Sequence, residues 1–334
     1  MTRSTMCYLH RMPKYLAFIA TAVLVGTALP RFAVAADLPV LAIRPAETAA
    51  AAQTSPVLAV AKAGDRIVSV GEHGVVLLSD DGGKTFQQAD TVPVSSTLTS
   101  VAFVNAKTGW AVGHWGVILR TDDAGRTWHL QRSDLKNDQP LFSVYFKDER
   151  EGWAVGLWSL MLHTTDGGKT WQPLSLPPAA GEKKSDRNLY SIFANSKGSI
   201  VVVGERGTVL VSKDTGRTWE YKETGYQGSF WCGALLKDGT LMIGGLRGSL
   251  YRSTDEGETW SRVESDFKSS ITAIVPHADN SVSAVALDGV VLNGQGDQGR
   301  LTGQQRADRL AFTAGVDAPN GKLLLFSTSG PVKN

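Results

Sequence analysis

Residues 121–128 read Thr-Asp-Asp-Ala-Gly-Arg-Thr-Trp, and the pattern Ser/Thr-x-Asp-x-Gly-x-Thr-aromatic recurs along the chain. Its copies span Ser79 to Phe86, Thr121 to Trp128, Thr164 to Trp171, Ser212 to Trp219 and Ser253 to Trp260. Their central acids, Asp81, Asp123, Asp166, Asp214 and Asp255, stand 42, 43, 48 and 41 residues apart. Self-similarity at this period is the signature of sheet blades arranged in a ring.

Working outward from the second copy, Thr99 to Val104 reads as a short strand, Gly109 to Gly113 as another, and Val117 to Arg120 as a third leading into the box. His129 to Arg132 completes a four-stranded meander, because short β-branched and apolar runs divided by Gly-bounded turns favour strands. A single such sheet cannot bury both faces, whereas a closed ring of them does. First strands are expected near Val57, Leu98, Leu141, Leu189, Phe230, Ile271 and Leu310, which gives an all-β propeller of seven four-stranded blades, with six as the alternative. The sixth unit keeps Gly289-Val290-Val291-Leu292, but its box has decayed to Asn293-Gly294-Gln295-Gly296-Asp297. The seventh lacks a fourth strand, so Leu38 to Arg44 is expected to supply it and to close the ring with N- and C-terminal strands together.

Residues 1–35 read as a signal peptide. Arg3, Arg11 and Lys14 form a basic start, Tyr15 to Leu29 is an uncharged apolar run, and Ala33-Val34-Ala35 offers small residues to a signal peptidase. The apolar run is shorter than the ~20 residues that span a bilayer. Residues 36–56 are then an N-terminal segment and linker carrying the closing strand, and 57–334 the propeller. Export to the periplasm is expected, or to a thylakoid lumen in a photosynthetic host. Removing the signal takes Arg3, Arg11, Lys14 and Arg31 from the 34 basic residues and leaves 30 against 32 acids. That balance lacks the basic excess that phosphate-backbone binding needs, so no nucleic-acid partner is expected. Cys232 alone remains of the two cysteines, so no internal disulfide forms.

Each part of the box has a structural task. The carboxylate accepts hydrogen bonds from its own turn, Gly permits positive φ, Thr adds a local bond, and the closing Phe86, Trp128, Trp171, Trp219 or Trp260 packs between repeats. A hard cation wants six to eight oxygens on one loop, more than these turns offer, so neither metal nor cofactor is expected.

The boxes are the Asp-box, or bacterial neuraminidase repeat. Together with Gly-Trp-Ala-Val-Gly at 109–113 and again at 152–156, they resemble the photosystem II stability/assembly factor family over residues 57–330. The resemblance implies a seven-bladed propeller exported into a lumenal or periplasmic space. It also implies a non-catalytic scaffold or assembly factor; plant and cyanobacterial members assist assembly of photosystem II reaction-centre subunits. The family is associated with an arginine-rich surface patch, and here Arg206 and Arg247 fall in equivalent turns. The alternative is a carbohydrate-binding or sialidase-like glycosidase propeller. Such an enzyme needs an arginine cluster, a Tyr nucleophile with a Glu partner, and an acid. No pair of carboxylates at the spacing of a glycosidase stands out among Glu72, Glu205 and Asp288, and no His-x-x-x-His, nucleophile elbow or phosphate loop occurs. No catalytic residue is therefore assigned.

The frame also locates a binding surface. Between the second and third strands lie two-residue turns: Glu72-His73, His114-Trp115, Leu157-Trp158, Glu205-Arg206, Leu246-Arg247, Leu287-Asp288 and Thr328-Ser329. Rotation relates the blades, so these tips ring one face while their residues vary, as expected of a scaffold with its site on loops. Trp and Arg are favoured interface anchors. The candidate partner-binding residues are therefore Trp115, Trp158, Arg206, Arg247, His73 and His114, joined by Trp231 at the start of blade five. The expected partner is a protein, such as a membrane-protein complex presented at the periplasmic or lumenal face, and the chain is expected to be a monomer.

Overall fold

Blade two shows how the repeat folds. Leu98–Phe103, Gly109–Gly113, Ile118–Thr121 and His129–Arg132 pair in sequence order as an antiparallel sheet. Gly109–Gly113 is buried at every residue, so its strand is covered on both faces and needs no polar alternation. Leu98 pairs with Gly113 and Ser100 with Val112, which leaves Thr99 as a bulge. Gly113 is dictated by close approach, since a Cβ there would lie 2.0 Å from Thr97 O.

In this computed structural model, which describes residues 42–195 and 197–333, the pattern repeats around a ring of seven sheets. The first strands form the innermost ring, each packed on the next, and Val57–Ala63 of blade one meets Phe312–Asp317 of blade seven. Seven blades, not six, are present. The core is divided into layers, one at each seam. At the seam of blades one and two, Trp128 packs with Val68, Leu78 and Leu119. Between blades two and three, Trp110 stacks on Phe146 with ring centroids 3.5 Å apart. The ring closes through Val57, Ile67, Leu324 and Phe326, with Thr313 Oγ1 donating to Val57 O at 2.5 Å.

Three details differ from expectation. Blade six replaces the decayed box with a longer hairpin: Val290–Gln295 runs through Asn293-Gly294 and pairs with Arg300–Gln305. No aspartate folds the turn at that point, so the strand simply continues. Blade seven begins at Phe312 instead of Leu310 and has three strands among the described residues, Phe312–Asp317, Leu323–Ser327 and Gly330–Pro331. The expected closing strand, Leu38 to Arg44, lies mostly outside the described residues, and its last three, 42–44, carry no strand pairing. Ile43 and Ala46 instead pack on the layer between blades one and two, and Ala46 N–H donates to Val92 O at 3.0 Å. A 3-10 turn, Ala50–Thr54, reaches the seam of blades seven and one, where Gln53 Nε2 donates to Phe86 O at 2.9 Å. The expected signal at 1–35, and residues 36–41, lie outside the described residues.

Candidate functional site

Turns alternate between the two ends of an antiparallel meander, so each blade's box and its tip lie on opposite faces. On the box face, the first-to-second strand turns meet the boxes: Ala124 N–H donates to Lys107 O at 2.9 Å and Gly167 N–H to Arg150 O at 2.8 Å. On the other face, each tip is tied to the chain entering its own blade. His114 N–H donates to Thr97 O, Leu157 N–H to Pro140 O, Glu205 N–H to Asn188 O and Leu246 N–H to Ser229 O.

The box acids bind their own turns. Asp123 Oδ1 accepts from Thr121 Oγ1 and from Thr127 N–H, each at 2.9 Å, and Oδ2 accepts from Thr127 Oγ1 at 2.6 Å. Thr121 Oγ1 in turn accepts from Gly125 N–H at 2.9 Å. Asp81, Asp166, Asp214 and Asp255 repeat the arrangement. These donors favour the ionised form. Thr170's amide and then its hydroxyl hold Asp166 down at about 2, and Thr218's hydroxyl and then its amide do the same for Asp214. Asp81 is also lowered, chiefly by Thr85, and Asp123 and Asp255 are lowered despite burial that opposes ionisation. The carboxylates are thus occupied by backbone and hydroxyl donors. Among the described residues no three His, Cys, Asp or Glu side chains are grouped to hold a metal ion.

The closing indoles complete each turn. Trp128, Trp219 and Trp260 donate Nε1–H to the carbonyls of Gly125, Gly216 and Gly257 at 2.9–3.1 Å. Trp171 lacks the corresponding bond to Gly168; in the same turn the Gly167 carbonyl accepts from Trp110, Arg120 and Gln131.

The tips share one backbone. His73, Trp115, Trp158, Arg206, Arg247 and Asp288 all have φ between 53° and 60°, the left-handed region that side chains with a Cβ seldom occupy. Gly follows in five of them, at positions 74, 116, 207, 248 and 289, also left-handed. Blade three departs from this: Ser159, at φ 57°, takes the Gly position, so two consecutive non-glycine residues are left-handed. The turn is held by Trp158 N–H on Asn188 Oδ1 at 3.0 Å and by Ser159 N–H on Arg187 O at 2.8 Å. On this turn Trp158 is 60% exposed, and the described residues expose just one other large apolar side chain, Leu130.

The structure separates the other candidates. Trp115 is half-buried against the layer of blades one and two and lines a recess with Ile43 and Arg44, whereas Trp158 stands largely exposed. Arg206 belongs to an ion-pair network, 3.4 Å from Glu182 and 3.5 Å from Asp186, while Arg187 holds Glu182 at 2.9 Å and depresses its pKa. Arg247 is exposed, and its backbone N–H donates to Ser270 Oγ. His73 and His114 are exposed. Trp231 is half-buried at the bulge between Phe230 and Cys232. Phe142 and Tyr190 hold the equivalent bulges of blades three and four, with ring centroids 5.5 Å apart. Sequence reading missed both; aligning the first strands, Leu141-Phe142 and Leu189-Tyr190 against Phe230-Trp231, carries the signal. Together these half-exposed rings form an arc on the inner ring at the tip end, in the blades that also bear Trp158, Arg206 and Arg247.

A further chain of polar groups ties blades six and seven. His277 Nε2 lies 2.8 Å from Ser283 Oγ, and His277 Nδ1 lies 3.3 Å from Asp317. Ser283 is 3% exposed and donates to Asn293 Oδ1 at 2.7 Å, so its hydroxyl is committed inside the sheet.

Box, wedge and ring together define an Asp-box β-propeller. Residues 251–262 match the BNR/Asp-box repeat, and residues 89–184 match the family described as Photosynthesis system II assembly factor YCF48. The resemblance carried by the boxes and the Gly-Trp-Ala-Val-Gly runs is thereby shown. Among solved structures, YCF48 bound to a D1 peptide superposes with a TM-score of 0.66 at 20% identity, covering 88% of this chain and 100% of that one. YCF48 from Cyanidioschyzon merolae gives 0.65 at 15%, covering 87% and 97%. U3-55K gives 0.64 at 15%, covering 85% and 91%. At these identities the likeness is one of fold. No curated protein matches by sequence.

Proposed function

We propose that this chain is an exported, non-catalytic assembly scaffold that captures a protein partner on its tip face, around Trp158. The observation that carries the reading is the blade-three turn. Two left-handed non-glycine residues hold a largely exposed indole where the other tips relax onto Gly. Backbone strain maintained under an exposed apolar anchor is a mark of a recognition site. The neighbouring arc of Phe142, Tyr190 and Trp231, with Arg247 beside it, extends the surface toward an extended segment of the partner. Two further points support a protein partner: the match to the assembly-factor family, and the fold shared with a YCF48 that binds a D1 peptide. Export rests on the sequence of residues 1–35, and a membrane-protein complex at the periplasmic or lumenal face is the partner class that fits it. Affinity capture from host envelope extract tests the reading: wild type retains a partner that Trp158→Ala loses, and equal capture by the variant rejects it.

A further inference from the structure

The seam between blades six and seven carries polar groups where its counterparts are apolar. Three residues before each tip, the second strand turns a side chain toward the following blade. In the other blades this residue is Val68, Trp110, Trp153, Val201, Met242 or Leu324, all buried. In blade six it is Ser283, and the apolar layer beside it is small, with Val275, Val285 and Phe312 at its centre. A buried hydroxyl costs stability unless it is hydrogen-bonded. Ser283 is the middle of a chain: it donates to Asn293 Oδ1 at 2.7 Å and lies 2.8 Å from His277 Nε2. The chain crosses the seam at Asp317 of blade seven, whose Oδ1 lies 3.3 Å from His277 Nδ1.

Hydrogen counting fixes the charge that this chain favours. Ser283 gives its single hydrogen to Asn293, so toward His277 it can only accept, and Nε2 must carry hydrogen. Nδ1 faces a carboxylate oxygen that is buried and makes no hydrogen bond among the described residues, so a positive imidazole is what compensates it. Both ring nitrogens thus face acceptors, the arrangement of an imidazolium. A neutral imidazole needs the chain reversed: Asn293, which is exposed, turns Nδ2 toward Ser283, and Ser283 donates to Nε2. Two ordered arrangements of the same side chains therefore differ by one proton. The other charges around the imidazole come from three turns. Asp279, in the turn of His277 itself, adds a second anion, held below the usual aspartate range chiefly by the Ser281 hydroxyl. From blade five, Lys237 Nζ donates to Ala278 O at 2.7 Å and Asp238 Oδ2 accepts from Asn280 Nδ2 at 2.9 Å, a cation and an anion together. Lys322, in the blade-seven turn after Asp317, lines the recess beside the first box instead.

We propose that His277 is a proton-operated latch on the seam of blades six and seven. With the proton bound, the imidazolium of blade six holds the Asp317 carboxylate of blade seven, and hydrogen bonds run from it through Ser283 to Asn293. With the proton lost, Asp317 Oδ1 loses its facing cation, the chain reverses, and the last blade opens locally more often. Blade seven also meets blade one, so the state of this imidazole sets how readily the circle opens. The device belongs to the box end of the blades, away from Trp158, and does not depend on the tip-face reading.

The test compares the chain at about pH 5.5 and about pH 7.5, on either side of the ordinary histidine range. Hydrogen exchange of residues 314–316 is read as a ratio to residues 101–103 of blade two, which cancels the intrinsic pH dependence of exchange. Blade seven is expected to be protected roughly fivefold more at the lower pH. Imidazole NMR is expected to show hydrogen on both nitrogens of His277 at the lower pH and on Nδ1 alone at the higher. His277→Gln is expected to hold the ratio at its high-pH value throughout, and Asp317→Asn to abolish the pH dependence, while Trp158→Ala leaves it intact. An unchanged wild-type ratio, greater protection at the higher pH, or a pH dependence that survives in His277→Gln overturns the inference. So does an imidazole that carries the same hydrogens at both pH values. If neither seam variant folds, the wild-type ratio and the ring hydrogens still decide it.

Discussion

Phe86 stands edge-on to Phe326, with ring centroids 5.8 Å apart and planes at 84°, and this pair bridges the first and last blades. It lies at the seam of blades seven and one, where the described residues of blade seven form three strands, and apolar contact across this seam helps close the ring. Phe326 is fully buried. Phe326→Ala is expected to cost about 3–5 kcal/mol, measured by urea unfolding, with blades one and seven the first to lose protection in hydrogen exchange. A loss spread evenly over all blades would contradict this weak-seam view.

The boxes act as local staples. Asp123→Ala removes the acceptor for Thr121 Oγ1, Thr127 N–H and Thr127 Oγ1. The loss is comparable to that of a capping side chain, about 1 kcal/mol, read as a lower denaturant midpoint with an unchanged slope. Partner capture at the proposed tip-face surface is expected to persist.

Acid tests the same staples. Because the folded state depresses the box acids, their contribution is fully present above the ordinary aspartate range and is lost as pH falls through the folded values. For Asp166 and Asp214 those values are about 2. Stability is therefore expected to stay level toward pH 5 and to decline progressively from about pH 4 to pH 2. Denaturant midpoints measured across this range give the profile, and Asp166→Asn with Asp214→Asn is expected to flatten it.

At the blade-three tip, stability and recognition pull apart. Trp158→Gly removes a left-handed side chain and is expected to stabilise the fold by about 1 kcal/mol, while eliminating partner capture. Thermal unfolding and affinity capture on the same preparation decide the matter. A destabilised variant would mean that the indole packs on its own blade.

The period, the boxes and the tip positions were legible in the sequence because their causes are local: a carboxylate reaching its own turn, and a residue held between two short strands. What decides the surface is not local. Trp115 looks equivalent to Trp158 in register, but Ile43 and Ala46, from a linker more than a blade away, pack onto the layer that shelters it. Phe142 and Tyr190 meet across a seam, and the periodic pattern does not say which side chains face one another there. Arg206 looks free until the loop carrying Glu182 and Asp186 folds over it.

The left-handed rungs have a consequence for how such a chain changes over generations. Each tip is tied to the chain entering its own blade and, at Trp158 and Arg247, to the chain entering the next, while the staples lie at the far end of the same strands, so altering one tip touches at most one neighbouring wedge. Descendants of a duplicated gene can exchange one client for another a single blade at a time, passing only through folded ancestors. The ring is a chassis, and its rim is the part free to change.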